Sequence, residues 1–402
     1  MKILVLNSGS SSVKYQMIDP ETQTFLARGV VERIGMAGAM LTHKPHDRDE
    51  VRLSGEILDH KIAIEYVLSI LLSKNHGVIK DKSEIAAVGH RVVHGGETFK
   101  ESVLISTEVI KEIARCMEYA PLHNPPNLKG IHATKALLPD IPQVSVFDTA
   151  FHQTMPDYAY MYGLPYVLYK RHGIRRYGFH GTSHLYVSRR AAEMLKRPVN
   201  EMKIITCHLG NGCSIAAVKY GESIDTSMGF TPLEGLLMGT RSGDIDPAVV
   251  LHIMNKEELA MHEANTMLNK HSGIQGLSGV SSDMREIEEE QDSNSRARLA
   301  HQVFCYRLKK YIGAYIAALG GADAVVFTGG IGENSALVRR NVLSEMQIFG
   351  IELSNEKNDA ANQHEREIST QHSALKILVI PTNEELVIAM DTMRIVRDNA
   401  AD

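Results

Sequence analysis

A short apolar run, Ile3-Leu4-Val5-Leu6, leads straight into Asn7-Ser8-Gly9-Ser10-Ser11-Ser12, after which Val13-Lys14-Tyr15-Gln16 resumes an extended pattern. Four-residue apolar runs bounded by Gly and Ser read as strand, tight turn, strand. The turn gathers an amide, four hydroxyls, a glycine and a nearby lysine. Backbone N–H groups, hydroxyls such as those of Ser10 and Ser12, and the Lys14 cation are what a polyphosphate needs, and glycine lets the main chain come close to it. Taken alone, such a turn is also an ordinary Ser-rich hairpin.

The pattern returns half a chain later. Lys203-Ile204-Ile205-Thr206-Cys207 is followed by His208-Leu209-Gly210-Asn211-Gly212-Cys213-Ser214 and then Ile215-Ala216-Ala217-Val218. Two such hairpins predict a duplicated unit, each copy offering a loop to one ligand. A third glycine-rich turn, Gly329-Gly330-Ile331-Gly332-Glu333-Asn334-Ser335, follows the strand-like run Ala324-Val325-Val326-Phe327-Thr328, with a helix expected from Ala336 to Met346. That order places backbone donors and a positive dipole end at the turn. Three loops of this kind predict a phosphate-binding protein.

The chain has 402 residues, 44% of them apolar, enough for a large core and two domains. A formal charge of −5 argues against nucleic acid or an anionic membrane as partner. Cys116, Cys207, Cys213 and Cys305 show no CxxC spacing and read as reduced, buried thiols. No signal-peptide pattern opens the chain and no apolar run is long enough for a membrane span, so a cytoplasmic location is expected.

Residues 56–73 carry helical apolar spacing; Glu84–Val93 and Gln143–Phe147 read as strands. The stretch Ala120-Pro121-Leu122-His123-Asn124-Pro125-Pro126-Asn127 reads as an irregular loop, because proline disfavours both helix and central strand. Leu299 to Leu319 reads as a long helix, residues 285–298 as a solvated charged face or loop, and Leu375–Ile380 as a final strand before a closing amphipathic helix to about Val396. The domain boundary is expected near Thr149.

Five residues stand out chemically. Arg91, in Gly89-His90-Arg91-Val92-Val93-His94-Gly95-Gly96, ends a predicted strand, and Arg241 lies in the glycine-flanked Gly239-Thr240-Arg241-Ser242-Gly243. Guanidinium forks suit carboxylate and phosphoryl oxygens, although most arginines are only solvated. Asp148 closes the strand Val144-Ser145-Val146-Phe147, and the carboxyl end of a strand in an α/β fold is where ligands bind; a loop cap is the plainer alternative. His180 and His184 have i, i+4 spacing, but the glutamate of HExxH is missing and no third metal ligand stands out.

Asn7-Ser8-Gly9-Ser10-Ser11-Ser12-Val13-Lys14, Gly178-Phe179-His180-Gly181-Thr182-Ser183-His184, the 208–214 loop, Met238-Gly239-Thr240-Arg241-Ser242-Gly243 and the 330–335 loop together resemble the acetate kinase family, over essentially the whole chain to Pro381-Thr382-Asn383-Glu384-Glu385. The resemblance implies the fold of the acetate and sugar kinase, Hsp70 and actin superfamily: α/β, two duplicated ribonuclease-H-like domains with an active-site cleft between them. It sets residues 1–149 as the first domain, completed by the helix 385–402, and 150–384 as the nucleotide-binding domain. It implies reversible, Mg²⁺-dependent in-line transfer of the ATP γ-phosphoryl group to acetate, giving acetyl phosphate and ADP, with Mn²⁺ able to replace Mg²⁺, in a homodimer. Alternatives are a kinase for propionate or butyrate and a non-metabolic ATPase switch. No GxxxxGK[ST] is present, which disfavours a P-loop kinase.

Residue by residue, the resemblance implies that Arg91 and Arg241 meet the substrate and the transferring group, and that His180 donates to the γ-phosphoryl oxygens. It treats Asp148 as the active-site acid or base. An ionised carboxylate substrate has no proton to surrender, however, so Asp148 is expected to orient Arg91 or the metal's water. Asn7 and Glu384 are the implied Mg²⁺ ligands, with Glu385 the poorer candidate. Nucleotide contacts fall to Lys14, to His208, Leu209, Gly210, Asn211 and Gly212, to Asp283, Met284 and Arg285, and to Gly330, Ile331, Gly332, Glu333 and Asn334. Val93, Leu122, Phe179 and Pro232 would wall an apolar acyl pocket, or else belong to the core.

Overall fold

The structure, a computed structural model, describes residues 1–360 and 364–401; Asp402, the last residue of the expected closing helix, lies outside them. The chain divides into two compact units, Met1–Phe151 with Asn383–Asp402, and His152–Thr382.

The first unit is built on an eight-stranded sheet of β1 (Lys2–Ser8), β2 (Ser12–Asp19), β3 (Thr24–Glu32), β4 (Met40–Pro45), β5 (Val51–Ser54), β6 (Ile85–Val92), β7 (Val103–Leu104) and β8 (Gln143–Phe147). Their order is β5-β4-β3-β2-β1-β6-β8-β7. β1 runs antiparallel to β2 and parallel to β6, which is parallel to β8. Side chains alternate between faces. One face buries Leu4, Leu6, Val13, Tyr15, Met17 and Leu41 with Ala63, Ile64, Val67, Leu68 and Leu71 of the helix His60–Leu71. Asp59 starts that helix by accepting from Ile62 N at 2.9 Å. Each fully buried aliphatic contributes at most about 1.5–3 kcal/mol. On the other face the helix Glu384–Ala401 packs over β1, β6 and β8. It comes so close that a Cβ on Gly89 would lie 2.5 Å from Thr392 Oγ1 and 2.7 Å from Ile388 Cγ2.

The expected loop at 120–127 is wrong in its second half. Asn124–Leu137 is a helix, with Pro125 and Pro126 in its first turn. First-turn N–H groups have no partner within the helix, so proline costs little there. The helix start is also structural glue. Asn124 accepts from His94 N and donates to His94 O, at 3.1 and 3.0 Å, while Asn127 accepts from Val93 N at 3.1 Å and donates to Ser8 O at 2.9 Å.

The second unit repeats the plan with a six-stranded sheet: β9 (Lys203–Leu209), β10 (Cys213–Lys219), β11 (Glu222–Thr226), β12 (Ala324–Thr328), β13 (Arg366–Glu367) and β14 (Lys376–Val379), in the order β11-β10-β9-β12-β14-β13. β9 pairs antiparallel with β10 and parallel with β12, as β1 does with β2 and β6. The duplicated α/β architecture expected from the two hairpins is therefore present.

The helix Ser295–Leu319 begins four residues before the expected Leu299, capped by Asn294. The glycine turn after β12 is itself helical: Gly329–Asn334 forms a short helix, entered through Gly329 at φ 75°, and Ser335 then caps the helix Ala336–Leu343. The glycines are therefore the helix start and not a loop before it. The closing helix starts at Glu384 and passes Val396 to reach Ala401. All four cysteines are free and buried. Among the described residues no helix is long and apolar enough to cross a membrane.

Two buried histidines give a pH dependence. His90 sits 2.9 Å from Gln143 Oε1, and His152 lies between Ser223 Oγ and Phe179 O at 2.8 and 3.0 Å. Burial, only partly opposed by these hydrogen bonds, pushes each imidazole down from 6.5 to about 4. The unfolded chain takes up these protons first. Stability is therefore complete above about pH 6.5 and falls as the pH drops toward 4, by about 3 kcal/mol per histidine. Urea titrations across this range should show the slope, and His90→Gln should flatten it; an unchanged slope would remove His90 as a contributor.

Candidate functional site

In the first unit the parallel pairing of β6 with β8 sets Arg91 beside Val146, so that Asp148 follows one residue beyond β8. Arg91 Nε donates to Asp148 Oδ1 at 3.0 Å and Nη2 to Oδ2 at 2.6 Å. Asp148 is buried, at 1% exposure, which makes this fork a strong, geometrically specific pair. Glu384, opening the last helix, has Oε2 3.9 Å from Arg91 Nε. Burial opposes the charge on Arg91, but Asp148 and Glu384 outweigh it and raise its pKa. Burial, with Asp148 and Glu385 nearby, raises Glu384 to about 7, against the pull of Arg91 and Lys14.

Asn7, Lys14, Arg91, Glu384 and Glu385 line one cavity of about 290 Å³. Asn7 and Lys14 face each other across β1 and β2. Lys14, assigned to the nucleotide by resemblance, thus groups with the expected metal and carboxylate residues of its own unit. Ser10 is exposed and Ser12 half-buried, flanking a turn in which Gly9 N donates to Ser12 O at 2.8 Å. Val93 is buried, whereas Leu122 is 59% exposed and so is not the core residue of the plainer reading.

In the second unit His180 takes φ 55° at the start of the helix Gly181–Met194. Its Nδ1 lies 2.9 Å from Ser214 Oγ, and its ring stacks on His208 with centroids 4.2 Å apart. His208 Nδ1 is 2.8 Å from Ser183 Oγ. His184 is fully buried between Thr206 Oγ1 and Ser214 Oγ, each at 2.7 Å, and burial holds its pKa well below the ordinary value. It packs against β9 and β10, and no cluster of three metal-ligating side chains occurs among the described residues.

Gly212 brings His180 and Arg241 to one place: a Cβ built on it would lie 3.5 Å from both Arg241 Nη1 and His180 Cε1. Arg241 donates through Nη1 to Pro232 O at 3.3 Å and approaches Met238 Sδ at 3.8 Å. Among the described residues no carboxylate lies within 4.0 Å of it, and burial lowers its pKa.

Its loop is held by residues that the sequence reading missed. Arg176 donates to Glu234 Oε1 at 2.6 Å and to the carbonyls of Thr226 and Ser227 at 2.8 and 3.0 Å, while Tyr162 donates to Glu234 Oε2. Asp244 accepts from Gly235 N at 2.8 Å and Tyr311 Oη at 2.7 Å. No local pattern marks these side chains, because their partners lie 50 or more residues away in most cases. Phe179 is buried and Pro232 half-buried.

A second cavity of about 760 Å³ in this unit is lined by Gly210, Asn211, Asp283, Met284, Arg285, Gly330, Ile331 and Asn334, together with Ser282, Glu288 and Ser335. Asp283 and Arg285 are paired at 2.6 Å, with Arg285 largely exposed. His208, Leu209, Gly212, Gly332 and Glu333 do not line this cavity. Leu209 is fully buried, and Glu333 turns back to accept from Gly329 N at 2.9 Å and Thr382 N at 3.3 Å. Gly239 N donates to Asn211 O at 3.0 Å, which ties the Arg241 loop to the edge of this cavity.

Two sheets of matching topology, each carrying a polar glycine turn between its first antiparallel pair, define the duplicated ribonuclease-H-like fold. The acetokinase family profile matches residues 2–390. An acetate kinase of Desulfitobacterium hafniense strain Y51 is 58% identical over 398 residues, covering 99% of this chain and 100% of that protein. The crystal structure of Porphyromonas gingivalis acetate kinase superimposes with a TM-score of 0.95 at 50% identity, covering 98% of this chain and 99% of that one. A propionate kinase from Francisella tularensis gives 0.91 at 44% identity, with the same coverage. The chain belongs to the acetokinase family.

Proposed function

We propose that this chain transfers the γ-phosphoryl group of ATP to the carboxylate of acetate, reversibly, giving acetyl phosphate and ADP. The observation that carries this reading is Arg241, a half-buried guanidinium converging with His180 over Gly212 and, among the described residues, without a carboxylate partner. Such a group is suited to charge that arrives with a ligand. An anion attacking a polyanion needs charge neutralisation and positioning above all.

Acetate is already ionised at neutral pH and requires no base. Asp148 has both oxygens occupied by Arg91, which supports a positioning role: it aims the remaining Arg91 Nη1 at the acetate carboxylate. His180 and Arg241 act on the transferring group, and the 760 Å³ cavity takes the nucleoside. Asn7 and Glu384 fit Mg²⁺, an ion that takes oxygen donors and keeps several waters. Burial, with Asp148 and Glu385 nearby, raises Glu384, and a divalent cation held there would offset that carboxylate charge. Bound there, Mg²⁺ would neutralise phosphate charge. Val93, Leu122, Phe179 and Pro232 are the proposed acyl-chain contacts.

Trapping acyl phosphate as the hydroxamate, with Mg-ATP and acetate, propionate or butyrate, tests the reading. Signal with acetate that fades as the acid lengthens is expected, and no signal with any acid would sink it. The propionate kinase neighbour makes propionate the second reading, since one methylene changes discrimination by only about 1–3 kcal/mol. Gly212→Ala adds a methyl at ordinary contact distance and no positive-φ strain. The variant should therefore fold normally but lose turnover at least about tenfold by intruding between His180 and Arg241, about 1.4 kcal/mol on the barrier. Parent-like turnover would show that no ligand occupies that space.

A further inference from the structure

On the first unit's sheet, the face covered by the helix Glu384–Ala401 is covered only in part. The helix lies over β1, β6 and β8 and reaches β2. Beyond it, the same face carries Lys14 and Gln16 on β2, Arg28 on β3 and Lys44 on β4. The register makes this unambiguous: Asn7 pairs with Lys14, Gln16 with Arg28, and Arg28 with Lys44. Paired residues share a face, and so do residues two apart on one strand. Three cations therefore form a strip across three adjacent strands, about 10 Å from β2 to β4 at the usual strand spacing.

Arg28 and Lys44 stand directly opposite each other, which is unfavourable because like charges across a strand pair repel, and Lys14 lies diagonally from Arg28. Among the described residues no carboxylate lies within 4.0 Å of Lys14, Arg28 or Lys44. On the neighbouring segment Asp47 is paired with Arg48 at 3.2 Å, and Glu50, which lines the same cavity, is paired with Arg52 at 3.0 Å. The strip is also concave. Lys14, Gln16, Arg28, Thr42 and Lys44 line the cavity of about 290 Å³ that runs on to Arg91, Glu384 and Glu385. A flat surface with scattered lysines would have neither feature.

We propose that this strip is a binding site for a small oligoanion, a molecule carrying two or three phosphate or carboxylate groups spaced to meet Lys14, Arg28 and Lys44 in turn. The site shares Lys14 and one cavity with Arg91 and Glu384 of the phosphoryl-transfer reading, but Arg28, Lys44 and their register lie outside that reading. Thr42 and Gln16 supply neutral hydrogen bonds between the charges.

The experiment is calorimetric titration of the full chain without Mg²⁺ or nucleotide, using tripolyphosphate in one arm and tricarballylate in the other, so that phosphate and carboxylate ligands are told apart. Saturable binding at one site is expected, weakening as salt is raised. The double variant Arg28→Gln/Lys44→Gln should weaken it at least tenfold. The same variant should melt no lower than the parent, since it removes a repulsion, and should keep the parent's acyl-phosphate formation. Arg241→Ala should bind the probe as the parent does. Absence of saturable heat in both arms, an affinity unchanged in the double variant, or binding lost in Arg241→Ala would each overturn the proposal. Failure of the hydroxamate assay would overturn the kinase reading and leave this result standing.

Discussion

Arg241→Ala should fold as the parent does and form acyl phosphate about 10²–10³-fold more slowly, the usual effect of removing one preorganised donor from a developing anion. Folding is expected to survive because, among the described residues, the side chain makes only two weak hydrogen bonds, to Pro232 O at 3.3 Å and Met238 Sδ at 3.8 Å. The loop itself is anchored elsewhere, through Glu234 to Arg176 and Tyr162, and through Asp244 to Gly235 and Tyr311. A half-buried guanidinium with no carboxylate within 4.0 Å among the described residues carries a desolvation cost, so its removal should leave the melting temperature unchanged or raised. The fall should appear in kcat more than in KM for acetate if the charge is needed chiefly in the transition state. Turnover within a fewfold of the parent, at a parent-like melting temperature, would take Arg241 out of the mechanism.

Arg91→Ala is expected to behave differently. Asp148 is buried at 1% exposure and receives two hydrogen bonds from Arg91. Removing the arginine leaves a buried, uncompensated carboxylate, a change that typically costs about 3–5 kcal/mol; the partial exposure of Arg91 places the expected value at the lower end. Turnover should fall by at least the factor expected for Arg241. The two effects separate in the double variant Arg91→Ala/Asp148→Ala, which removes both charges. Its stability should recover most of the loss, while turnover stays low. If Arg91→Ala melts like the parent, the pair is not the structural unit that the geometry describes. If the double variant regains turnover, neither residue is needed to position the acceptor carboxylate.

The contrast between these two arginines marks how far the sequence could be read. Both were legible as candidates, one at a strand end and one in a glycine-flanked turn. Their opposite electrostatic situations were not, because the Arg91 partner lies 57 residues away, and the absence of a partner at Arg241 can be seen only once the surroundings are folded. Asp148 was legible as a strand-end carboxylate, and chemistry alone supplies the argument that an ionised acetate has no proton to give. That Asp148 holds Arg91 with both oxygens is a tertiary fact. The Pro125-Pro126 segment failed for a local reason. Proline breaks a helix interior, whereas in a first helical turn its missing N–H costs nothing extra. The Glu234 and Asp244 anchors of the Arg241 loop had no sequence signal at all, since neither residue type nor spacing distinguishes them from solvated acids.

The amino-acid order alone determined the elements whose cause is local: strands of apolar runs, glycine and serine turns between them, the doubled strand–turn–strand plan, and the family to which those turns belong. Neighbours along the chain dictate such features through side-chain period and backbone freedom. Only the tertiary structure decided which charges are paired and which stand alone. It set Asp148 on Arg91, left Arg241 without a counter-ion above Gly212, and drew Lys14 into the company of Asn7 and Glu384. It also lined up Lys14, Arg28 and Lys44 on one face of a sheet. Electrostatic interactions depend on distance in space and on burial, and strand register, which sets both here, is fixed by the packing of the whole sheet and not by any one strand.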